Sequence, residues 1–546
     1  MTGSVADLLS QARGVVGGQV ALVEPETGRT FTWAELDDEV DRIAAGLAEL
    51  GLVAGYRVML LLTNRIEFVT AYLALLRARL VAVPVNPRSA TGEVARITAD
   101  CGARAIFADA TTITMARSAI AGLQDALVDA APELSMPVPL LITVGTSALP
   151  GETSYQALAA STATTTAVSE NTDPESLAVL LYTSGTSGRP RAAMLSHRAL
   201  LANIEQAASI KPPMISGSDV ILGVLPLFHV YGLNAVLGAV LRQHAKLVVV
   251  DGFDARESLD VIADHQVTVV PVAPPVFGYW RRLDDADTLA DRLGGVRLLL
   301  SGSAPLSPEV AQEFTASTGK PVHQGYGLTE AAPIVTSTLV GGHSKPGSVG
   351  RPLPGVQVRI VDSDDELPDD GDVGELQVCG PNLFSGYWPD GAEGPGSDGW
   401  YGTGDIGYLD DEGDLFLVDR LKELVIVSGF NVYPTEIEDF IAEIPGVGEV
   451  AVIGAPDSAT GEAVVAYVVP SSVLESTGDA DPMGSATGER ASELEAVVRD
   501  RCASGLASFK QPQEIYVVEE LPKTITGKVA KGRLRAARRR ANLGLL

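Results

Sequence analysis

The pattern of apolar residues divides the chain into two regions. Up to about residue 350, short apolar runs alternate with amphipathic stretches, and near-continuous Val and Leu runs are typical of strands covered on both faces of a parallel α/β sheet. The predicted strands of this region span residues 57–62, 80–85, 177–181, 246–250, 267–272, 296–300 and 321–323, and the predicted helices span residues 66–76, 255–264 and 307–317.

The rest of the chain has shorter, turn-rich strands. Segments 356–361, 374–379 and 415–418 are separated by Gly, Asp and Pro, which predicts a small antiparallel barrel or sheet. Residues 421–546 predict an α+β unit with strands near 423–427, 450–453, 463–469 and 515–518, helices near 434–444 and 491–504, and a solvated loop at 471–490. The expected fold is therefore α/β: a large N-terminal domain (1–420) of parallel α/β subdomains with a small β-barrel at about 350–420, then a small α+β C-terminal domain (421–546).

Composition is that of a globular protein. Of the 546 residues, 46% are hydrophobic and 20% are charged, as in typical folded domains. With 40 Lys and Arg against 69 Asp and Glu, the formal net charge is −29. This charge argues against a nucleic-acid binder, which needs a basic footprint. A nucleotide-binding enzyme stays open, because backbone N–H groups and a few local cations can hold a phosphate.

Cysteine usage and hydropathy bear on the compartment. The three cysteines are isolated, without CxxC or metal-ligand spacing, which favours a reducing compartment. The N-terminus has no basic segment followed by an apolar stretch, as a signal peptide would. Segment 221–241 approaches the length of a bilayer span, but it contains Pro226, His229 and Asn234, so a buried strand–loop–helix is favoured. We therefore expect a cytoplasmic protein that is not integral to a membrane.

The most informative motif is a loop rich in hydroxyl and glycine residues. It runs LYTSGTSGRPR from Leu181 to Arg191, after a predicted strand and before a helix expected to begin near His197. Such a loop can surround a polyphosphate with N–H and O–H donors, and Arg191 adds a cation. It lacks the Gly-Lys-Ser/Thr ending of a Walker A loop. Taken alone, the loop also fits a plain surface turn.

Further polar motifs follow along the chain. They are SGSAP at 301–305, QGYGLTE at 324–330, YGTGD at 401–405, DRLKE at 419–423, SGFNVYPTEIE at 428–438 and LPKTITGK at 521–528. Glu330 offers a carboxylate suited to Mg²⁺, and Thr329 a hydroxyl on the phosphate or metal side. Asp405 is expected in a tight turn, where its carboxylate can accept from both hydroxyls of a ribose. Lys528 is expected at the tip of a glycine turn.

The order and spacing of these motifs resemble the ANL superfamily of adenylate-forming enzymes, and in particular its fatty acyl-CoA synthetases. The resemblance runs from about residue 20 to residue 535. It implies a two-step reaction with ATP and Mg²⁺. A carboxylate attacks the α-phosphate to give acyl-AMP and pyrophosphate, and the thiol of CoA, a co-substrate, then displaces AMP. It also implies that the C-terminal domain is a mobile lid that rotates between the two steps.

The resemblance implies a role for each motif. Catalysis falls to Lys528, which would bridge the carboxylate and the α-phosphate, to Glu330, the metal ligand, and to Thr329. The residues expected to bind ATP and AMP are Thr183, Ser184, Gly185, Thr186, Ser187, Gly188 and Arg191 at the phosphates, Ser303, Ala304, Pro305, Gln324, Gly325 and Tyr326 at the adenine, and Asp405 and Arg420 at the ribose. Lys422 is expected to be the hinge, and Ser428, Gly429 and Phe430 to line the CoA tunnel.

The acyl pocket is expected at His229, Val230, Tyr231, Gly232 and Gly327. Amino-acid-activating relatives carry an Asp at or next to the position of His229, so histidine here disfavours a substrate with an α-amino group, whose buried ammonium would lack a counter-charge. A satisfied core histidine is the alternative for His229. The other expected lining, residues 272–278 and 331–333, is apolar, which favours a fatty acid of medium or longer chain.

Departures from the family pattern leave alternatives open. Arg191 stands where most relatives have lysine, and the lysines that help coumarate-type ligases bind CoA are absent at Ser428 and near Gly252. The alternatives are an aryl-CoA ligase, a fatty acyl-AMP ligase that delivers the acyl group to an acyl-carrier protein, and a non-catalytic nucleotide-binding homologue. Oligomeric state, a dimer included, and the role of the basic tail beyond Lys523 are left open.

Overall fold

The computed structural model describes residues 3–129, 138–162, 172–183, 191–283, 286–304, 306–342, 345–361, 373–420, 423, 425–427, 430–457, 461–471, 486–506, 508–523 and 528–542. The chain forms two compact units. The first contains most of residues 1–358 together with 378–401, and the second contains residues 359–377 and 402–546. The expected domain boundary between residues 420 and 421 stays a prediction.

In the part of the chain that the structure describes, the strands fall into four sheets. Strands β1 to β9 are Val20–Glu24, Arg29–Thr32, Arg57–Leu61, Val81–Pro84, Ala105–Asp109, Leu140–Val144, Thr153–Ser154, Leu177–Thr183 and Arg191–Ser196. Strands β10 to β16 are Val220–Gly223, Lys246–Val249, Val269–Val272, Leu298–Ser301, Val322–Gly327, Ile334–Ser337 and Arg351–Pro352. Strands β17 to β25 are Gln357–Val361, Gly374–Cys379, Trp400–Leu409, Leu415–Arg420, Val425–Val427, Phe430–Val432, Val447–Asp457, Gly461–Pro470 and Glu514–Val517.

The helices alternate with the strands of the first unit and flank the last sheet of the second. Helices α1 to α8 are Asp7–Val16, Trp33–Glu49, Ile66–Arg77, Thr91–Cys101, Ile113–Asp129, Tyr155–Ala159, His197–Ala208 and Ala239–Gln243. Helices α9 to α15 are Ala255–Asp264, Pro275–Leu283, Ala286–Arg292, Pro308–Thr318, Pro434–Ala442, Ala486–Gly505 and Lys531–Asn542. In the described residues, no helix combines the length and the hydropathy needed to cross a membrane.

Two large sheets build the first unit. One has the order β7-β6-β5-β3-β4-β8-β9, and the other the order β16-β15-β14-β13-β12-β10-β11-β1-β2. The strands from β10 to β14 pair in parallel, so their carboxyl ends meet at one edge. Helices cover these apolar strands, and Phe277 packs edge to face against Trp280 and Phe314 in the core beside them. The α/β fold class predicted from the sequence is confirmed.

Two smaller sheets follow. Strands β17 to β20 form a four-stranded sheet in sequence order, in which β19 and β20 pair antiparallel. In the second unit, the order β22-β21-β24-β23, with β25 parallel to β24, makes a five-stranded sheet. Val425, Ile437 and Val464 are among the residues that join its strands to α13 and α14 in one core.

Helix starts follow from local side-chain chemistry. Thr32 and Glu35 form a capping box at the start of α2. The Asp254 carboxylate accepts from the N–H groups of Arg256 and Glu257, which fixes the start of α9 at Ala255, as predicted.

Four local expectations are corrected by the structure. The strand expected at 321–323 continues to Gly327, so the first four residues of the QGYGLTE motif belong to it. Asp405 lies within β19 and not in a tight turn. Segment 184–190 is followed by a strand that was not predicted, β9, which pairs antiparallel with β8, whereas α7 begins at His197 as predicted. Residues 486–490 of the predicted loop at 471–490 are helical.

Candidate active site

A buried carboxylate lies in a short turn after β14. Glu330 is 8% exposed and belongs to the 3₁₀ turn Thr329–Ala331. Its Oε1 accepts a hydrogen bond of 2.6 Å from the hydroxyl of Tyr387, and its backbone oxygen accepts from the N–H of Phe384. Burial, and then the Glu330 charge, raise the pKa of Tyr387, which therefore stays protonated and remains the donor. The turn thus holds the carboxylate of Glu330 in a fixed direction.

Arg191 begins β9 on the far side of the same tyrosine. Its guanidinium carbon lies 3.7 Å from the centroid of the Tyr387 ring, and its Nη1 lies 2.7 Å from Oε2 of Glu393. Thr183 pairs with Arg191 between β8 and β9, so the residues on either side of segment 184–190 lie next to each other. The Glu393 carboxylate raises the pKa of Arg191, which is charged at every working pH.

The carboxyl edge of the large parallel sheet carries the expected adenine-binding residues. Ser303 follows β13 and has a φ of +75°, a left-handed conformation that costs a non-glycine residue about 1 to 3 kcal/mol. Ala304 is the next residue. Gln324, Gly325 and Tyr326 lie in β14, and a Cβ on Gly325 would approach Thr336 O to 2.8 Å. This edge is where α/β sheets bind ligands.

Two buried polar atoms at this edge lack a hydrogen-bond partner in the described part of the chain. They are Oγ of Ser301, at the end of β13, and Nδ1 of His323, in β14. Unpaired buried polar atoms are costly, and at a site they indicate a missing polar ligand. Together with the strained Ser303, they fit a nucleotide at this edge of the sheet.

The residues present also fit a magnesium ion. The described residues contain no cluster of three or more His, Cys, Asp or Glu that could enclose a metal. Mg²⁺ does not require such a cluster, because it is usually held by one or two carboxylates, water and substrate phosphates. Glu330 supplies one carboxylate, whose Oε1 accepts from Tyr387.

An apolar cavity lies beside the same edge of the sheet. Its lining comes from the end of α7 and the segment after it, the helix that begins at Tyr231, and two strands. The lining residues are Ala207, Ala208, Met214, Ile215, Tyr231, Ala235, Val236, Ala239, Gln243, Pro271 and Leu300. Its free volume is about 20 Å³, the room of roughly one water molecule, so a hydrocarbon chain would have to widen it on binding.

Segment 221–241 forms the predicted strand–loop–helix, with an unexpected helix type. Tyr231–Gly238 is a π-helix, which runs on into α8. Such wide helices are rare and frequently lie at functional sites. Asn234 holds it in place by donating to the carbonyls of Leu200 and Ala332, 3.1 and 2.6 Å away.

The five residues expected at the acyl pocket have different surroundings. Tyr231 lines the cavity, and its ring packs on Gly302, where a Cβ would come within 2.8 Å. His229 is half-buried and accepts a 3.3 Å hydrogen bond from the N–H of Tyr231. Val230 is buried, and a Cβ on Gly232 or Gly327 would meet a proline carbonyl oxygen at 2.3 or 2.2 Å. These two glycines are therefore required by close backbone contacts.

The second unit carries the remaining described candidates. Asp405 is 7% exposed, and its backbone pairs with that of Arg420 across β19 and β20. Lys528 is exposed, next to the bridge between Lys523 and Val529. The backbone of Phe430 pairs with Val427 in the hairpin of β21 and β22.

Several expected site residues lie outside the described residues. They are Ser184, Gly185, Thr186, Ser187 and Gly188 of the phosphate loop, Pro305, the expected hinge Lys422, and Ser428 and Gly429 of the expected CoA tunnel. Their roles stay predictions.

Sequence reasoning missed two groups of residues. Tyr387 and Glu393, which contact Glu330 and Arg191, lie in a segment with no recognised motif. The alanines at the end of α7 carry no chemical signal either. The GYW sequence at 386–388, close to a Gly- and Pro-rich stretch, was the only local indication of an unusual segment.

Comparison with known proteins identifies the family of the chain. The family model of AMP-binding enzymes matches residues 9–388, and the model of the AMP-binding enzyme C-terminal domain matches residues 436–528. A long-chain-fatty-acid–CoA ligase of Bacillus subtilis (strain 168) is 38% identical over 366 residues, which cover 66% of this chain and 62% of that protein, less than two thirds of its length. The 4-coumarate–CoA ligase 3 of Oryza sativa subsp. japonica is 31% identical, covering 95% of this chain and 90% of that protein.

A solved structure extends the similarity to three dimensions. ATP-bound MatB from Rhodopseudomonas palustris is 31% identical, with a TM-score of 0.83 over 98% of this chain and 99% of that one. The family models together span more than half of the sequence, and the rice relative is matched over nearly its whole length. The chain therefore belongs to the AMP-binding enzymes of the ANL superfamily, as an AMP-forming acid–CoA ligase.

Proposed function

We propose that the chain activates a fatty acid of medium or longer chain. In the first step, the carboxylate and MgATP give acyl-AMP and pyrophosphate. In the second, CoA takes the acyl group and AMP leaves. Residues 421–546 act as the lid, with Lys422 as the hinge, and the enzyme works in the cytoplasm.

The apolar lining of this cavity carries the proposal for the acid, and the chain is proposed to widen the cavity as it binds. Its lining has no charged side chain in the described part of the chain, and Tyr231 and Gln243 are its only polar side chains. Each methylene buried there contributes about 0.8 kcal/mol. A hydroxylated aromatic acid would need hydrogen-bond partners that this lining offers only at those two residues. The long-chain-fatty-acid–CoA ligase of Bacillus subtilis is a relative with the same preference in its name.

The first step requires that negative charge be neutralised at the α-phosphate. An anionic carboxylate must approach a polyphosphate, so cations have to neutralise the charge that develops at the α-phosphorus. Arg191 provides one cation at the end of the phosphate loop, and Lys528 is proposed to provide the one that bridges the carboxylate and the α-phosphate. Glu330, with Thr329 beside it, would hold Mg²⁺, which neutralises phosphate charge when bound. Asp405 is proposed to hold the ribose together with Arg420.

An aryl-CoA ligase is the second candidate. It is favoured by one finding, the similarity to a 4-coumarate–CoA ligase over nearly the whole chain. The apolar lining of the cavity favours the fatty acid over this second candidate, since each methylene buried there adds to binding.

ATP–pyrophosphate exchange over a panel of acids tests the proposal. Octanoate, dodecanoate, hexadecanoate, benzoate and 4-coumarate are compared, each with and without CoA. We expect exchange with the fatty acids and a thioester product when CoA is added. Exchange with the aromatic acids alone would establish the aryl-CoA ligase instead. Acyl-AMP that accumulates at millimolar CoA, without thioester, would establish an acyl-AMP ligase. Lack of exchange with every acid would reject all three.

A further inference from the structure

Tyr387 contacts both residues that are proposed to meet the polyphosphate and its metal. Its hydroxyl donates to Glu330 Oε1 over 2.6 Å, and its ring lies 3.7 Å from the guanidinium carbon of Arg191. One rigid side chain therefore joins a candidate metal ligand, on the turn after β14, to a candidate phosphate ligand, at the start of β9.

The tyrosine is itself fixed on several sides. Its segment runs along β9: Met194 N donates to Gly386 O, and Trp388 N donates to Ala192 O. The edge of the Tyr387 ring packs against Phe384, with the two centroids 5.1 Å apart. Strand β9 also carries Arg191, so the tyrosine and the arginine are held by the same piece of backbone. Such support keeps a functional side chain in place before the ligand arrives.

We propose that Tyr387 is a positioning residue for MgATP, in which the hydroxyl orients Glu330 for the metal and the ring orients Arg191 for the phosphates. The proposal rests on the proposed function, since it concerns the same nucleotide. The Tyr387 hydroxyl, by donating to Oε1, fixes the direction of the other carboxylate oxygen, Oε2. The Glu330 side chain then has less rotational freedom to lose when the metal binds. The ring face holds the flat guanidinium, which leaves fewer rotamers open to Arg191.

The two contacts can be separated by substitution. Tyr387→Phe keeps the ring under Arg191 and removes only the hydroxyl bonded to Glu330. Tyr387→Leu removes both. Tyr72→Phe is the matched control, because Tyr72 is a buried tyrosine of α3 whose hydroxyl has no partner among the described residues.

The measurement compares the affinity for MgATP with the affinity for ATP in EDTA, by calorimetry on the full chain without an acid substrate. The ratio of the two affinities reports the contribution of the metal and its ligand. We expect Tyr387→Phe to reduce this ratio by about tenfold, as supporting residues of metal ligands commonly do, with little change in the affinity for metal-free ATP. Tyr387→Leu should also weaken binding of metal-free ATP severalfold, because Arg191 loses its support.

A double substitution keeps the test independent of folding defects. Glu330→Gln should reduce the same ratio, and adding Tyr387→Phe to it should reduce the ratio no further, since the hydroxyl acts through the carboxylate. An unchanged ratio in Tyr387→Phe, an equal loss in Tyr72→Phe, or additive losses in the double variant would each overturn the role of Tyr387. If the wild type binds neither MgATP nor metal-free ATP, the proposed function fails. If the wild type prefers MgATP and the Tyr387→Phe variant keeps that preference, only the role of Tyr387 fails.

Discussion

Filling the apolar cavity should change which chain lengths the enzyme accepts. Ala235 lies one turn after Tyr231 in the π-helix and lines the slot. Replacing it by leucine adds three carbon atoms to a space that the distal part of the acyl chain is proposed to occupy. The carboxylate end, near the nucleotide, is not affected. We therefore expect Ala235→Leu to discriminate against long acids and to spare short ones.

The magnitude follows from the volume exchanged. Three added carbons displace about as many methylenes of the substrate, and at about 0.8 kcal/mol for each methylene the loss is about 2 kcal/mol. A loss of that size lowers kcat/KM by roughly 30-fold for acids long enough to reach Ala235. Pyrophosphate release, measured for acids from six to sixteen carbons, should therefore show a step at one chain length.

The control separates loss of space from loss of stability. Ala263 is an exposed alanine on α9 that does not line the cavity, so Ala263→Leu adds the same atoms to a helix without filling the slot. A uniform fall at all chain lengths would indicate that Ala235→Leu disturbs the fold, and unfolding temperatures would show it. An unchanged profile would refute the assignment of this cavity to the acyl chain.

Three further outcomes are expected. Lys528→Ala should lower acyl-AMP formation roughly 100- to 1,000-fold and largely spare thioester formation from supplied acyl-AMP, because the lysine charge is needed only while the carboxylate meets the phosphate. Equal losses in the two half-reactions, measured separately, would reject the proposed role of Lys528 in adenylation. Glu393→Gln should tighten MgATP binding about twofold to threefold in calorimetry, since it releases Arg191 from an ion pair that is partly exposed to solvent; weaker binding would contradict this. Burial raises the pKa of Asp219, but hydrogen bonds from Arg297 and neighbouring residues outweigh this effect and lower the pKa to about 2. The charged form therefore adds stability that is lost as the pH falls from about 4 toward 2, and Asp219→Asn should remove roughly 1 to 2 kcal/mol of this pH-dependent stability in denaturant titrations. An acid profile identical to that of the wild type would count against the ion pair.

Much of the fold could be predicted because its signals are local. Buried strands such as Val269–Val272 are continuous apolar runs, and α9 begins after an aspartate that caps it. The expected turn at Asp405 was wrong because Gly-Thr-Gly suggested a loop. Those residues instead belong to β19, in which Gly404 takes the left-handed φ of +69° and the register shifts between Ile406 and Gly407. Glycine allows both conformations, so sequence alone could not decide.

The candidate site was predicted only where residue type implies chemistry. Glu330 and Arg191 carry charges in recognisable motifs. Tyr387 could not be found, because its importance comes from its position between these two residues, 57 positions from one of them by chain order but within hydrogen-bond distance in space. The cavity was likewise hidden, since Ala207 and Ala208 act only by being small. The contacts of Tyr387 and the shape of the cavity both depend on tertiary packing, which local sequence patterns do not predict.

The position of β1 and β2 has a consequence for the order in which the chain acquires structure. The seven-stranded sheet uses only strands from β3 to β9, a continuous piece of sequence, whereas β1 pairs with β11 in the other sheet. During synthesis, the first hairpin must therefore wait until residues 246–249 have been made, while the whole intervening sheet can already form. Closing that long-range pairing is entropically slow, so we expect the N-terminal hairpin to be among the last elements protected from hydrogen exchange during refolding.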